Sequence, residues 1–188
     1  MANSKTFVLV YGFGEGNWHS KKMKAELAKR GYVEADKDNA ADVVIAHSGG
    51  CYFLPDTHKH QLLVLIGPPY WPGKSLASRF IKKSYLDLSQ SLKHKKLGYW
   101  WQKTAWNMVY LLGDIPLALR MSGTVRKKYF HEQITHNRVL ILRADRDAFC
   151  SPQIDDLLIK GRHFTVKQIQ GQHDDCWLYP EKYLELVD

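Results

Sequence analysis

Apolar residues gather along the chain in five strand-like blocks: TFVLVYG (6–12), DVVIAH (42–47), QLLVLIG (61–67), RVLILRA (138–144) and FTVKQIQG (164–171). The middle three are almost continuously apolar, the pattern of parallel strands covered on both faces. Between the blocks the spacing turns helical. NWHSKKMKAELAKRG (17–31) sets Met23 and Leu27 on one stripe and ends at Gly31, a helix stop signal. DLLIK (156–160) and YPEKYLELV (179–187) are shorter helical candidates. Strand alternating with helix predicts an α/β fold, a three-layer α/β/α sandwich with a mostly parallel sheet, in a single domain over 1–188.

One segment breaks the alternation. Residues 68–137 separate two strands and are far too long for a plain crossover. LASRFIKKSYLDLSQSL (76–92) and WWQKTAWNMVYLL (100–112) read as helices, so the segment is expected to form a helical cap inserted above the sheet. Charge sharpens this picture. The chain carries +8, yet between Pro68 and His131 twelve Lys or Arg face only Asp87 and Asp114, a net +10, which leaves −2 for the rest. The same segment holds eleven of the 23 aromatic residues, including Trp71, Trp100, Trp101 and Trp106. Aromatics mixed with basic residues suit single-stranded nucleic acid or an anionic membrane surface. They equally suit a cap with an apolar inner face and lysines snorkelling outward. The position of the insert favours the cap, with the clusters at 82–83, 93–96 and 126–128 as its solvated face.

The totals exclude other classes. A chain of 188 residues with 45% hydrophobic and 24% charged residues is sized for one globular core. MANSKTFVLVYG enters a strand at once, without room for a secretory leader. AWNMVYLLGDIPLALRM (105–121), the longest apolar stretch outside the strands, is broken by Asp114 and Pro116, so no membrane span is expected. Three cysteines, an odd number, argue for a reducing compartment, and the expected location is cytoplasmic.

Candidate chemistry begins at AHSGG (46–50). A strand followed by small-x-Ser-x-Gly and a turn is the pattern of a nucleophile elbow, in which a sharp turn lifts the serine oxygen above the sheet edge. Small residues must flank it, and Ala46 and Gly50 hold those places. A serine hydroxyl needs a base to take its proton and an acid to orient that base. In this arrangement both come later in the chain, acid before histidine, each in the loop after a strand. Asp147 lies three residues beyond Ala144 at the end of RVLILRA, and His173 follows FTVKQIQG in Gly171-Gln172-His173. Asp145 competes in the same loop; spacing from the strand end favours Asp147. Two backbone N–H groups must then face the developing oxyanion. Gly49 can supply one, and the glycine-rich loop Tyr11–Gly16 the other, with Phe13 as the expected donor.

On YGFG (11–14), AHSGG (46–50), RADRD (143–147) and GQHD (171–174), the chain resembles the α/β-hydrolase family, especially its short serine hydrolases. The resemblance spans nearly the whole chain. It implies a Ser-His-Asp hydrolase acting on ester, thioester or amide bonds through an acyl-enzyme, with Ser48 as nucleophile, His173 as base and Asp147 as acid, and Phe13 and Gly49 as oxyanion donors. The chain departs from the family in three places. Tyr11 stands where many members have histidine. The stretch from Gly31 to Ala41 leaves a usual strand and helix shrunken or missing, and Pro55 shortens or kinks the helix after the elbow.

The remaining candidates read as structural. His47, beside the nucleophile, points elsewhere and is expected to be packed or hydrogen-bonded. His19, His58, His60, His94, His131, His136 and His163 scatter without ligand spacing, and Asp174 and Asp175 read as loop or capping residues. Cys51, Cys150 and Cys176 each fall three residues after a candidate triad member, but without a C-x-x-C pair they read as core packing. Neither metal nor cofactor is expected. The expected function is that of a carboxylesterase-like enzyme for a small-molecule acyl substrate. The other reading is an inactive hydrolase-fold protein that binds nucleic acid or an anionic membrane surface through the basic insertion.

Overall fold

The computed structural model describes residues 5–12, 15–36, 41–54, 62–70, 76–93, 105, 134, 138–155 and 164–187. The five apolar blocks form strands β1 (Lys5–Val10), β3 (Val43–His47), β4 (Leu62–Ile66), β5 (Arg138–Ala144) and β6 (Phe164–Ile169). A sixth strand, β2 (Tyr32–Glu34), adds three residues at the edge. It lies in the stretch where the short Gly31–Ala41 segment predicts a shrunken or missing strand, and the strand is indeed reduced rather than lost. The sheet order is β2-β1-β3-β4-β5-β6. Among the described residues every strand pairing is parallel.

Alternation of side chains across the strands builds two cores. Phe7, Leu9, Val43, Ile45, Val64, Ile66, Leu140 and Leu142 face one side. There they meet helix α1 (Lys21–Lys29) through Met23 and Leu27, and the C-terminal helices α3 (Asp175–Leu178) and α4 (Pro180–Leu184) through Trp177, Tyr183 and Leu184. Val44, Ala46, Leu63, Leu65, Val139 and Ile141 face the other, packing with Cys51, Tyr52, Cys150 and Ile154. All five residues of β3 are therefore buried, as its unbroken apolar run requires. Gly31 ends α1 with φ of 81°, a conformation a side chain resists.

The chain leaves β1 outward to β2 and returns to the other side of β1 as β3. The strand order therefore changes direction between β1 and β3, and the carboxyl edge at such a switch point is where open parallel sheets bind ligands. From the insertion, helix α2 (Leu76–Lys93) is described. DLLIK, all of WWQKTAWNMVYLL but Ala105, and the four tryptophans of the insertion lie outside the described residues. No helix among the described residues is long and apolar enough to cross a membrane.

Candidate active site

Three loops at the carboxyl edge deliver the candidate residues. At the end of β3 the backbone turns sharply: Ser48 takes φ of 50°, the one non-glycine residue with positive φ among those described. That left-handed conformation costs about 1–2 kcal/mol for a residue with a side chain. Such strain persists where the surroundings enforce it, commonly at functional sites. The chain then enters a five-residue 3-10 helix, Ser48–Tyr52, short as Pro55 predicts. The small residue at position 50 is demanded by β1: a Cβ there would lie 2.7 Å from the carbonyl oxygens of Val10 and Tyr11. A Cβ on Gly12 would come within 2.8 Å of Ser48 Cβ. The elbow and the loop after β1 touch backbone to backbone, which glycine alone permits.

The second loop follows β5. Asp147 is buried, and its Oδ1 accepts the N–H groups of Phe149 at 2.7 Å and Cys150 at 3.0 Å. These two bonds fix the carboxylate plane. Asp145 instead accepts the Gly171 N–H at 2.8 Å and ties the loops after β5 and β6 together. The structure thus puts Asp147, not Asp145, against the histidine. The third loop carries His173, also buried, whose Nδ1 lies 2.8 Å from Asp147 Oδ2 and 2.9 Å from Oδ1. An ionised carboxylate only accepts, so Nδ1 carries the proton and Nε2 is left as an acceptor. Ser48 Oγ lies 2.9 Å from that Nε2. Ser48, His173 and Asp147, far apart in sequence, form one hydrogen-bonded chain.

Gly67, just after β4, makes room for this chain. With φ of 54°, it sits so close that a Cβ would be 2.8 Å from Asp147 Oδ2 and 3.0 Å from His173 Nδ1. Gly49 lies in the first turn after Ser48, where helix N–H groups lack intrahelical partners. Phe13 lies outside the described residues.

Beneath His173 is a buried cluster. His47, wholly buried, points to the α3 side of the sheet; its Nδ1 lies 2.5 Å from Glu15 Oε1 and its Nε2 2.9 Å from the backbone oxygen of His173. Glu15 also accepts the Gly12 N–H at 2.7 Å and the Trp177 indole N–H at 3.1 Å. Burial disfavours the His47 charge, yet the Cys176 sulfur and the Glu15 carboxylate outweigh it and hold its pKa well above the ordinary 6.5. Burial likewise opposes ionisation of Glu15, and His47 overrides it, lowering that pKa below 4.5. The sequence pattern places His47 correctly as a hydrogen-bonded residue. Glu15 carries no such signal, because its partners come from β3 and α3.

His47, His173 and Asp174 bring possible metal-donor atoms within 4.8 Å of one another. Each already has a protein partner: His47 and His173 as above, and Asp174 the Lys83 ammonium at 2.9 Å. Lys83 departs from the expected solvated face. It is 8% exposed and also binds Asp87 at 2.8 Å, while its neighbour Lys82 is exposed. Through Lys83, through Arg79 donating to the Ala148 carbonyl at 3.2 Å, and through Gln172 donating to the Leu86 carbonyl at 3.1 Å, α2 docks on the loops bearing Asp147 and His173. The cluster at 126–128 and residues 94–96 lie outside the described residues. All three cysteines are buried and unpaired; burial raises their pKa values, that of Cys176 to about 11.

No family model matches the chain, and no curated protein matches it. Solved structures do. An esterase from Exiguobacterium antarcticum aligns with a TM-score of 0.63 at 13% identity, over 97% of this chain and 90% of its own. MGS-M2, an alpha/beta hydrolase enzyme from a Medee basin deep-sea metagenome library, aligns with a TM-score of 0.65 at 10% identity, over 100% and 89%. A monoacylglycerol lipase of Paleococcus ferrophilus aligns with a TM-score of 0.55 at 14% identity, over 97% and 91%. Together with the six-stranded parallel sheet, these similarities show the α/β-hydrolase fold.

Proposed function

We propose that this chain is a carboxylesterase-like serine hydrolase that cleaves an ester, thioester or amide bond of a small or medium acyl substrate. The observation that carries the reading is the chain Ser48 Oγ–His173 Nε2 at 2.9 Å and His173 Nδ1–Asp147 Oδ2 at 2.8 Å, set on a strained elbow. Similar solved structures that include an esterase and a monoacylglycerol lipase fit it.

In this mechanism His173 Nε2 takes the Ser48 proton as Oγ attacks the carbonyl carbon. Asp147 holds the imidazole by its Nδ1–H and stabilises the imidazolium that results. The oxyanion accepts the N–H of Gly49 and, from the loop after β1, that of Phe13. The imidazolium then protonates the leaving group, and a water molecule, deprotonated by His173, hydrolyses the acyl-enzyme. None of these steps calls on a metal or cofactor. Helix α2 belongs to a cap formed by the 68–137 insertion, which shapes the acyl site.

A fluorophosphonate probe tests the nucleophile. Wild type is expected to react at a single serine and Ser48→Ala to remain unlabelled. Labelling that persists in Ser48→Ala sinks the assignment.

A further inference from the structure

His47 has an acceptor at each ring nitrogen: the Glu15 carboxylate at Nδ1 and the His173 carbonyl at Nε2. A backbone carbonyl never donates, so Nε2 must carry a proton. At Nδ1 the proton could in principle reside on Glu15. Glu15, however, already receives the Gly12 N–H and the Trp177 indole N–H, one on each oxygen, and hydrogen bonds of this kind favour the carboxylate. Both protons therefore belong to the ring.

We propose that His47 is a buried imidazolium, paired with Glu15, that positions the catalytic base and the oxyanion loop by holding the His173 carbonyl and the Gly12–Glu15 turn together. The consequence for catalysis rests on the hydrolase reading above; the protonation state does not.

The physical logic is one of stacking order along β3. Odd residues of the strand face α1, α3 and α4, so His47 points below the sheet edge while Ser48, next in sequence, turns up at the elbow. A single imidazolium then reaches two loops that must be aligned on one oxygen. It pulls on His173 through the main chain, leaving that ring free for Ser48 and Asp147. Through Glu15, which accepts the Gly12 N–H, it braces the loop after β1. The two rings lie 4.8 Å apart, centroid to centroid, and the edge of the Trp177 indole closes the cluster at 5.2 Å from His47. Among the described residues, the titratable groups facing the pair are Cys176, His173 and Cys51, with Asp174 further along the loop of His173. Cys176, whose sulfur is hydrogen-bonded to the His47 ring, keeps its own proton at neutral pH with a pKa pushed up to about 11, so it supports the imidazolium as a hydrogen-bond partner and Glu15 supplies the formal opposite charge. Breaking such a pair leaves one buried charge uncompensated, which is far worse than never having built it.

The direct test is nitrogen NMR on protein labelled at histidine, with His47 assigned through bonds. At pH 7 both ring nitrogens of His47 are expected to be protonated and slow to exchange. A bare ring nitrogen on His47 overturns the proposal without any variant. The positioning role is read from His47→Gln and Glu15→Gln. His47→Gln is expected to slow fluorophosphonate capture at Ser48 and to lower ester kcat by about ten- to hundredfold, with KM nearly unchanged, as for a small misplacement of catalytic groups. Glu15→Gln removes the counter-charge, so His47 loses a proton within the neutral range and kcat gains a pH-dependent limb that wild type lacks. Capture at wild-type rate in His47→Gln, or a Glu15→Gln profile superimposable on wild type, refutes the positioning role. If His47→Gln fails to fold, the Glu15→Gln profile and the NMR result still decide. Labelling that survives Ser48→Ala would instead strike the hydrolase reading and leave the NMR test standing.

Discussion

Replacing Gly67 by alanine tests the site with a single methyl group. The backbone there has φ of 54°, and the new Cβ would stand 2.8 Å from Asp147 Oδ2, 3.0 Å from His173 Nδ1 and 3.2 Å from His173 Cε1. Ordinary contact needs roughly 3.5 Å, so the carboxylate or the ring must retreat by more than half an ångström. Neither retreats easily. Asp147 is held at Oδ1 by the Phe149 and Cys150 N–H groups, and His173 is boxed in by Phe149 at 4.9 Å and His47 at 4.8 Å between ring centroids. Misplacement of about 1 Å costs on the order of 100-fold in rate, so a displacement of this size predicts a loss of about ten- to a hundredfold, or roughly 1.4–2.7 kcal/mol of barrier. Folding should weaken separately by about 1–2 kcal/mol from the left-handed backbone. Second-order rates of fluorophosphonate labelling give the first number and urea unfolding the second. If Gly67→Ala is destabilised as expected yet labels at the wild-type rate, the methyl has not disturbed the Asp147–His173 contact, and the argument from close packing fails.

The buried pair predicts a shaped stability profile. Glu15, lowered below 4.5, contributes fully above that value and loses its contribution as pH falls through its folded pKa; His47, raised well above 6.5, contributes fully below 6.5 and loses its contribution as pH rises through its folded pKa. The unfolding free energy of wild type minus that of a Glu15→Gln, His47→Gln double variant should therefore plateau between those values and fall on both sides; a difference that rises steadily with pH contradicts it. Lys83→Met should loosen α2, because Asp87 and Asp174 lose their shared cation, at a cost of about 1.5–3 kcal/mol. Hydrogen exchange of the α2 amides reads this directly, and unchanged protection would show that the ion pairs do not dock the helix. Buried and held as thiols, Cys51, Cys150 and Cys176 should resist a disulfide reagent in the native protein and react together on unfolding. Rapid reaction of one thiol in the folded state would contradict their burial.

Legibility in sequence followed the range of the interaction that each feature depends on. The runs VVIAH, LLVLI and RVLILRA predict buried parallel strands because a strand covered on both faces must be apolar at every position. The candidate acid and base were legible for a related reason: each follows its own strand directly, so chain order stands in for position on the sheet edge. Met23, Leu27 and Gly31 likewise encode α1 and its end within one local window.

Only the tertiary structure decided the rest. Strand β2 is three residues long, too brief for any periodicity, and exists because Tyr32, Val33 and Glu34 pair with β1. Gly67 looks like a plain turn glycine until Asp147 and His173, from two other loops, fill the space a side chain would need. Lys83 belongs to a basic run that reads as solvated, and is buried because Asp174 reaches it from the loop after β6. Glu15, His47 and Trp177 meet across separations of 32 and 162 residues. Local pattern reports which face of an element is apolar. It carries no information on which polar groups from distant elements converge, and at this site convergence is what places a proton, a carboxylate and a serine oxygen within reach of one another.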